Sequence, residues 1–175
     1  MFPDDGMSAN ETSVDITGVY STNSLSRWRP RLVSMSEDCI FCKIVKGEIP
    51  SSVVFEDDIC MAFLDVFPIR KGHSLLIPKK HFENLLDADP DVVAHMAKRL
   101  IELTRGVKVA TGAEGVMNAV ANGEGAGQEI PHLHFHAIPR SSGDAFGFRF
   151  PPGYRESMAK REDLDKMAQK IAESV

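Results

Sequence analysis

At 175 residues, 43% of them hydrophobic and 26% charged, the chain is long enough for one well-formed core. Its net charge of −5 excludes a face-wide positive field, so nucleic acid is not a partner held by bulk electrostatics, although a few local donors suffice for a small phosphorylated ligand. No apolar run approaches the ~20 residues that cross a bilayer, which argues against a membrane partner.

Met1 to Ser34 shows no sustained period and is predicted to be a flexible extension, with Met35 a second possible start and Trp28 its one large aromatic side chain. It lacks the apolar stretch of a secretory signal, and Asp4, Asp5, Glu11 and Asp15 make it too acidic for a transit peptide, so the default address is cytoplasmic. The dense part of the chain is predicted to be one domain over residues 35–140.

Within it, Ser51–Phe55 and Ile59–Leu64 read as adjacent strands around the acidic turn Glu56-Asp57-Asp58. Ser74–Pro78 reads as a third strand, introduced by Gly72 and ended by its own proline. Asp89 supplies a helix N-cap and Pro90 a first helical residue. Beyond them Val92, Met96, Leu100, Leu103 and Val107 recur at helical spacing and predict the one long helix. His95 falls inside it and is assigned no function. Val116–Asn122 and Ile130–Pro139 read as the last two strands, joined by a glycine-rich loop. Residues 141–175 open with a Gly/Pro-rich loop and close in a helix whose stripe of Leu164, Met167, Ala168 and Ile171 suits packing on the domain or on a second subunit. Strands grouped around one long helix predict an α+β fold with a mainly antiparallel sheet.

Side chains alternate along a strand, so His132, His134 and His136 are predicted on one face, and Leu133, Phe135 and Ala137 on the other. Each imidazole has two ring nitrogens to satisfy, which suits a cleft better than a buried face. The preceding loop, Asn122-Gly123-Glu124-Gly125-Ala126-Gly127-Gln128, lets backbone N–H groups approach an anion. Together, loop and histidines could hold a phosphate over a nucleophilic imidazole.

Gly125-Ala126-Gly127-Gln128 followed by His132-x-His134-x-His136 closely resembles the histidine-triad nucleotide hydrolases and transferases. The likeness runs from about Asp38 to Arg140 and includes Phe55-Glu56-Asp57-Asp58, Phe63-Leu64-Asp65, and Gly72-His73 through Pro78-Lys79-Lys80-His81. It implies a histidine-triad fold with a short N-terminal helix, a homodimer, and a purine nucleotide as the small-molecule substrate. It also implies a covalent mechanism: His134 attacks the α-phosphorus of a nucleoside phosphoramidate or dinucleoside polyphosphate, His136 and His73 assist, and water releases the monophosphate. The backbone around Gly127 and Gln128 would stabilise the phosphate oxygens. Asp65 would accept from the ribose hydroxyls, and Ile40, Phe41, Ile44, Phe63, Leu64 and Val66 would form the base pocket.

Two departures from the pattern bear on the substrate. An amide that reaches the phosphates in many relatives corresponds to Asn122 if the loop is one residue shorter here, and otherwise to Ala121. Glu129 stands where some relatives carry a small hydroxyl residue, and its carboxylate would repel an anionic leaving group or bind a cationic amine. Alternatives are a nucleotidyltransferase, in which phosphate or a sugar phosphate intercepts the intermediate, and a non-catalytic nucleotide-binding interaction module.

Cys39-Ile40-Phe41-Cys42 has the spacing of half a zinc site, but two cysteines cannot fill a tetrahedral ion, and two free thiols are the alternative. Zinc-bearing members of the family complete such a site with histidines, which by resemblance are His81 and His132. The implied metal is a structural zinc ion with no position open to substrate.

Overall fold

The computed structural model describes residues 38–147, 150 and 152–175; the extension expected over residues 1–34 lies outside them. Five strands form one antiparallel sheet in the order β1-β2-β3-β5-β4: β1 Val53–Glu56, β2 Cys60–Leu64, β3 Ser74–Pro78, β4 Gly115–Ala119 and β5 Phe135–Arg140. A short helix, α1, spans Ile40–Val45, the long helix α2 spans Pro90–Thr111, and α3 spans Arg161–Ala172. The α+β fold with its short N-terminal helix is the one expected. No helix among the described residues is long and apolar enough to cross a membrane.

Local chemistry sets these elements. The Asp89 carboxylate accepts the N–H of Asp91 at 2.9 Å, Pro90 occupies the first helical position, and Gly112 at φ +67° closes α2 in the left-handed conformation. Met96, Leu103 and Val107 on the inner face of α2 are buried against Cys60, Ala62, Leu76, Leu133 and Ala137. The opposite face of the sheet packs Met61, Phe63, Leu75 and Ile77 against Phe41 and the two cysteines of the α1 segment. Period-two alternation along β2 and β3 therefore splits the core into two clusters, one under α2 and one under α1.

Strand limits differ from the expected ones in an instructive place. The segment predicted to run as strand from Ile130 is irregular until Phe135, because the N–H of His132 turns back to the Ile130 carbonyl at 2.8 Å and that of Leu133 goes to Phe82 at 2.7 Å. Only His136 of the three histidines lies in β5. At the C-terminus α3 is helical as predicted, but none of its residues is buried in the chain.

Candidate functional site

The Asp57 turn and α2 brace the sheet from outside the histidine face. Asp57 Oδ1 accepts the N–H groups of Ile59 and Cys60, both at 2.9 Å, while Oδ2 takes His95 Nε2 at 3.0 Å and Arg99 Nε at 3.1 Å. Burial alone would push this carboxyl up; the N–H of Cys60, the imidazole of His95 and the N–H of Ile59 outweigh it and hold it well below the usual carboxylate range. His95 thus ties α2 to the β1–β2 turn.

On the other face of the sheet the histidines do cluster, although two of them precede the strand. The ring of Phe41 meets the edges of His132 and His134 at centroid distances of 5.7 and 5.4 Å, and His134 lies 4.8 Å from His136. Leu133 and Ala137 point the other way, into the cluster under α2. Contrary to the expectation of an open cleft, His132 and His134 are buried. Their nitrogens find partners close by, which removes the objection to burial. His134 Nδ1 donates to the carbonyl oxygen of His132 at 2.7 Å, so Nε2 carries the lone pair. Burial holds His134 below the usual imidazole range, opposed by the bond to His132, by Asp65 and by Glu129, and this favours the neutral, nucleophilic form.

His73, which introduces β3, reaches the same cluster. Its Nε2 lies 2.9 Å from Nδ1 of His136, with the two rings stacked 5.1 Å apart. Its Nδ1 faces Asp65 Oδ2 at 3.3 Å. Burial pushes His136 down to about 4, helped by His134 and His73 and opposed by Asp65; burial lowers His73 as well.

The predicted nucleotide residues divide. Phe41 and Phe63 are buried side by side next to His134, their rings 5.7 Å apart, with Ile44 packed against the same cluster. Ile40 and Val66 are exposed. Leu64 must be withdrawn as a side-chain contact: alternation places it with Cys60 and Ala62, and it lines a cleft along α2 with Val54, Leu103 and Val107.

The loop readings also change. The N–H groups of Gly127 and Gln128 are spent inside the loop, on Glu124 O at 2.8 Å and Gly123 O at 3.2 Å. The Gln128 side chain is buried; Oε1 accepts the Gly123 N–H at 2.7 Å and Nε2 donates to Glu83 O and Ile130 O. Asn122 Oδ1 accepts the N–H of Leu85 at 3.0 Å. Both amides hold the loop to the 83–86 segment. The N–H of Glu129, next along, makes no hydrogen bond among the described residues.

Cys39, Cys42, His81 and His132 converge, their ligand atoms all within 4.8 Å of one another. His132 Nδ1 lies 3.3 Å from Cys39 Sγ and 3.6 Å from Cys42 Sγ, and His81 Nδ1 lies 3.4 Å from Cys42 Sγ. The other nitrogen of His132 donates to Pro78 O at 2.9 Å, which fixes the tautomer with Nδ1 free to ligate. Burial and the adjacent Cys39 push Cys42 up to about 11, an environment in which a bound cation is what would hold thiolates. Two sulfurs and two imidazole nitrogens in a closed, buried set fit zinc.

A HIT domain is matched over residues 46–143. Adenylylsulfatase HINT3 of Arabidopsis thaliana is 42% identical over 111 residues, spanning 63% of this chain and 56% of that protein. A member of the HIT family of proteins from Bacillus subtilis superposes with a TM-score of 0.73 at 36% identity, covering 79% of this chain and 97% of that one. A Zn-bound histidine triad family protein from Mycobacterium smegmatis superposes at 0.61 with 37% identity, over 69% and 88% of the two chains.

Proposed function

The chain belongs to the HIT domain family, and from that membership we propose that it is a nucleotide hydrolase cleaving at the α-phosphorus of a nucleoside phosphoramidate or dinucleoside polyphosphate through a nucleotidyl-histidine intermediate. The observation that carries this reading is the His134 Nδ1–H bond to the His132 carbonyl, which leaves a buried imidazole with its Nε2 lone pair available. Family membership supports a nucleotide hydrolase or transferase kind of activity, and the adenylylsulfatase relative supports hydrolysis.

In this reading His134 Nε2 bonds to the phosphorus, the leaving group departs, and water then cleaves the N–P bond. His136 and His73 handle the protons. Asp65 accepts from the ribose, and Phe41, Phe63 and Ile44, with Ile40 and Val66 at the rim, receive a purine base. The Glu129 N–H takes over the oxyanion role first sought at Gly127 and Gln128. A zinc ion held by Cys39, Cys42, His81 and His132 would supply a structural crosslink between α1 and the histidine segment. The same reading takes the protein as a homodimer.

Wild type and His134→Ala are to be incubated with an adenosine phosphoramidate and with a dinucleoside polyphosphate, and monophosphate release measured. Wild-type turnover that falls at least about 1,000-fold in His134→Ala is expected, the scale on which loss of a covalent nucleophile is felt. Equal slow release by both proteins would refute the reading, and a rate that depends on added phosphate or sugar phosphate would make it a transferase.

A further inference from the structure

Asp65 is tied to the histidines in a way that ribose binding does not require. Its Oδ1 accepts the N–H of Phe67 at 2.8 Å, which fixes the carboxylate just beyond β2. Its Oδ2 faces His73 Nδ1 at 3.3 Å, and His73 Nε2 meets His136 Nδ1 at 2.9 Å. The last nitrogen of this chain, His136 Nε2, makes no hydrogen bond among the described residues. The His73 side chain is 2% exposed and that of Asp65 18%, so solvent screens the contact little.

His73 Nδ1 stands between two choices, because the N–H of Ile69 also lies 3.3 Å from it. A proton on Nδ1 serves Asp65; a bare Nδ1 serves Ile69. The carboxylate prevails, since a charge-assisted hydrogen bond is the stronger of the two. With Nδ1 protonated, a neutral His73 accepts from His136 Nδ1–H, and His136 Nε2 is left bare. The setting of one ring thus decides which form His136 presents.

We propose that Asp65, His73 and His136 form a proton relay, Asp65 acting as a positioning residue through His73. The inference rests on the hydrolase reading. When the phosphate of the substrate brings its charge beside His136, the relay takes up one proton, giving His73 with both nitrogens protonated and His136 protonated on Nε2. His134 Nε2 then bonds to the phosphorus and the bond to the leaving group breaks. The leaving atom takes the Nε2 proton of His136, His136 Nδ1 takes the Nε2 proton of His73, and His73 keeps its Nδ1 proton on Asp65. In the second step water attacks the phosphorus, its proton passes to His136 Nε2, the Nδ1 proton returns to His73, and the N–P bond breaks. The relay regains the proton it gave.

The test removes the hydroxyls that Asp65 would otherwise bind. Wild type and Asp65→Asn are compared on an adenosine phosphoramidate and on its 2′,3′-dideoxy analogue. Asp65→Asn is expected to lower kcat by about 10- to 100-fold on both, within the range of general acid–base effects, and to raise KM on the ribose substrate alone. Full kcat of Asp65→Asn on the dideoxy analogue would overturn the relay and leave the hydrolase standing. No turnover by wild type on either substrate would overturn both. Side-chain nitrogen-15 NMR of the wild type needs no variant: His73 is expected to be protonated at Nδ1, and a bare Nδ1 would overturn the relay.

Discussion

His134 donates its Nδ1–H to the backbone carbonyl of His132, 2.7 Å away, while the ring of His132 faces Cys39 and Cys42. One short segment therefore links the proposed metal cluster to the proposed nucleophile. Any displacement of the His132 backbone changes both the tautomer of His134 and its aim.

That link makes the metal testable through two readouts. Purified wild type is expected to carry about one zinc ion per chain, since the donor set is a closed tetrahedral one. Cys42→Ser should lose it. Removing a structural ion from a protein of this size lowers Tm by roughly 10 °C if about 3–5 kcal/mol is lost. Activity should fall as well, although no substrate touches the site. Elemental analysis and a thermal scan on the same samples decide it, and equal metal content in both proteins would remove the ion from the account.

The glycine-rich loop owes its shape to Gln128. Replacing Gln128 by Ala leaves the Gly123 N–H and the Glu83 carbonyl without their partner. Stranding partly buried polar groups costs about 1–3 kcal/mol, so Gln128→Ala is expected to lower Tm by roughly 3–9 °C. Because Glu129 follows directly, kcat should drop more than KM rises. An unchanged Tm would mean that the loop holds itself.

These two amides show where the sequence ceased to be readable. Strand β3 and the N-terminus of α2 were legible to the residue, because Pro78, Asp89 and Pro90 impose local rules that no tertiary contact overrides. The shared face of the three histidines was legible too. The start of β5 was not, since the partner of the Leu133 N–H, Phe82, is remote in sequence. Nor can sequence tell whether Asn122 or Gln128 turns toward a ligand or toward its own backbone; both chemistries need the same amide. Asp65 against His73 could have been anticipated only from the pairing of β2 with β3, which places Leu64 opposite Ser74.

Asp57 gives the pH dependence. Its folded-state affinity for a proton is depressed, so its contribution to stability is complete above the unfolded carboxylate pKa, about 3.9, and is lost as pH falls through the lower folded value. Asp57→Asn should destabilise the protein at neutral pH by about 2 kcal/mol, the scale of hydrogen bonds to a charged group. The gap between variant and wild type should stay constant from about pH 7 to 5 and narrow below about pH 4. Denaturant midpoints across that range check it. A gap that widens in acid would show that the His95 and backbone contacts do not depend on the carboxylate charge.

Gly72 carries the last prediction, because it sits directly before His73. Its φ of +93° lies where a side chain is strained, and a Cβ there would run into the methyl group of Thr111 at the end of α2. The conformational penalty is about 1–2 kcal/mol and overpacking adds about as much, so Gly72→Ala is expected to cost roughly 2–4 kcal/mol. Gly47 provides the contrast: its φ of +75° carries the same backbone penalty, but a Cβ there meets nothing within 4 Å. Gly47→Ala should therefore cost only about 1 kcal/mol. Activity separates them further. Gly72→Ala pushes the backbone that delivers His73 to His136, and kcat should fall in the fraction that remains folded, whereas Gly47→Ala should keep the wild-type rate. Equal Tm losses for the two would show that Thr111 gives way and that α2 does not fix the position of His73.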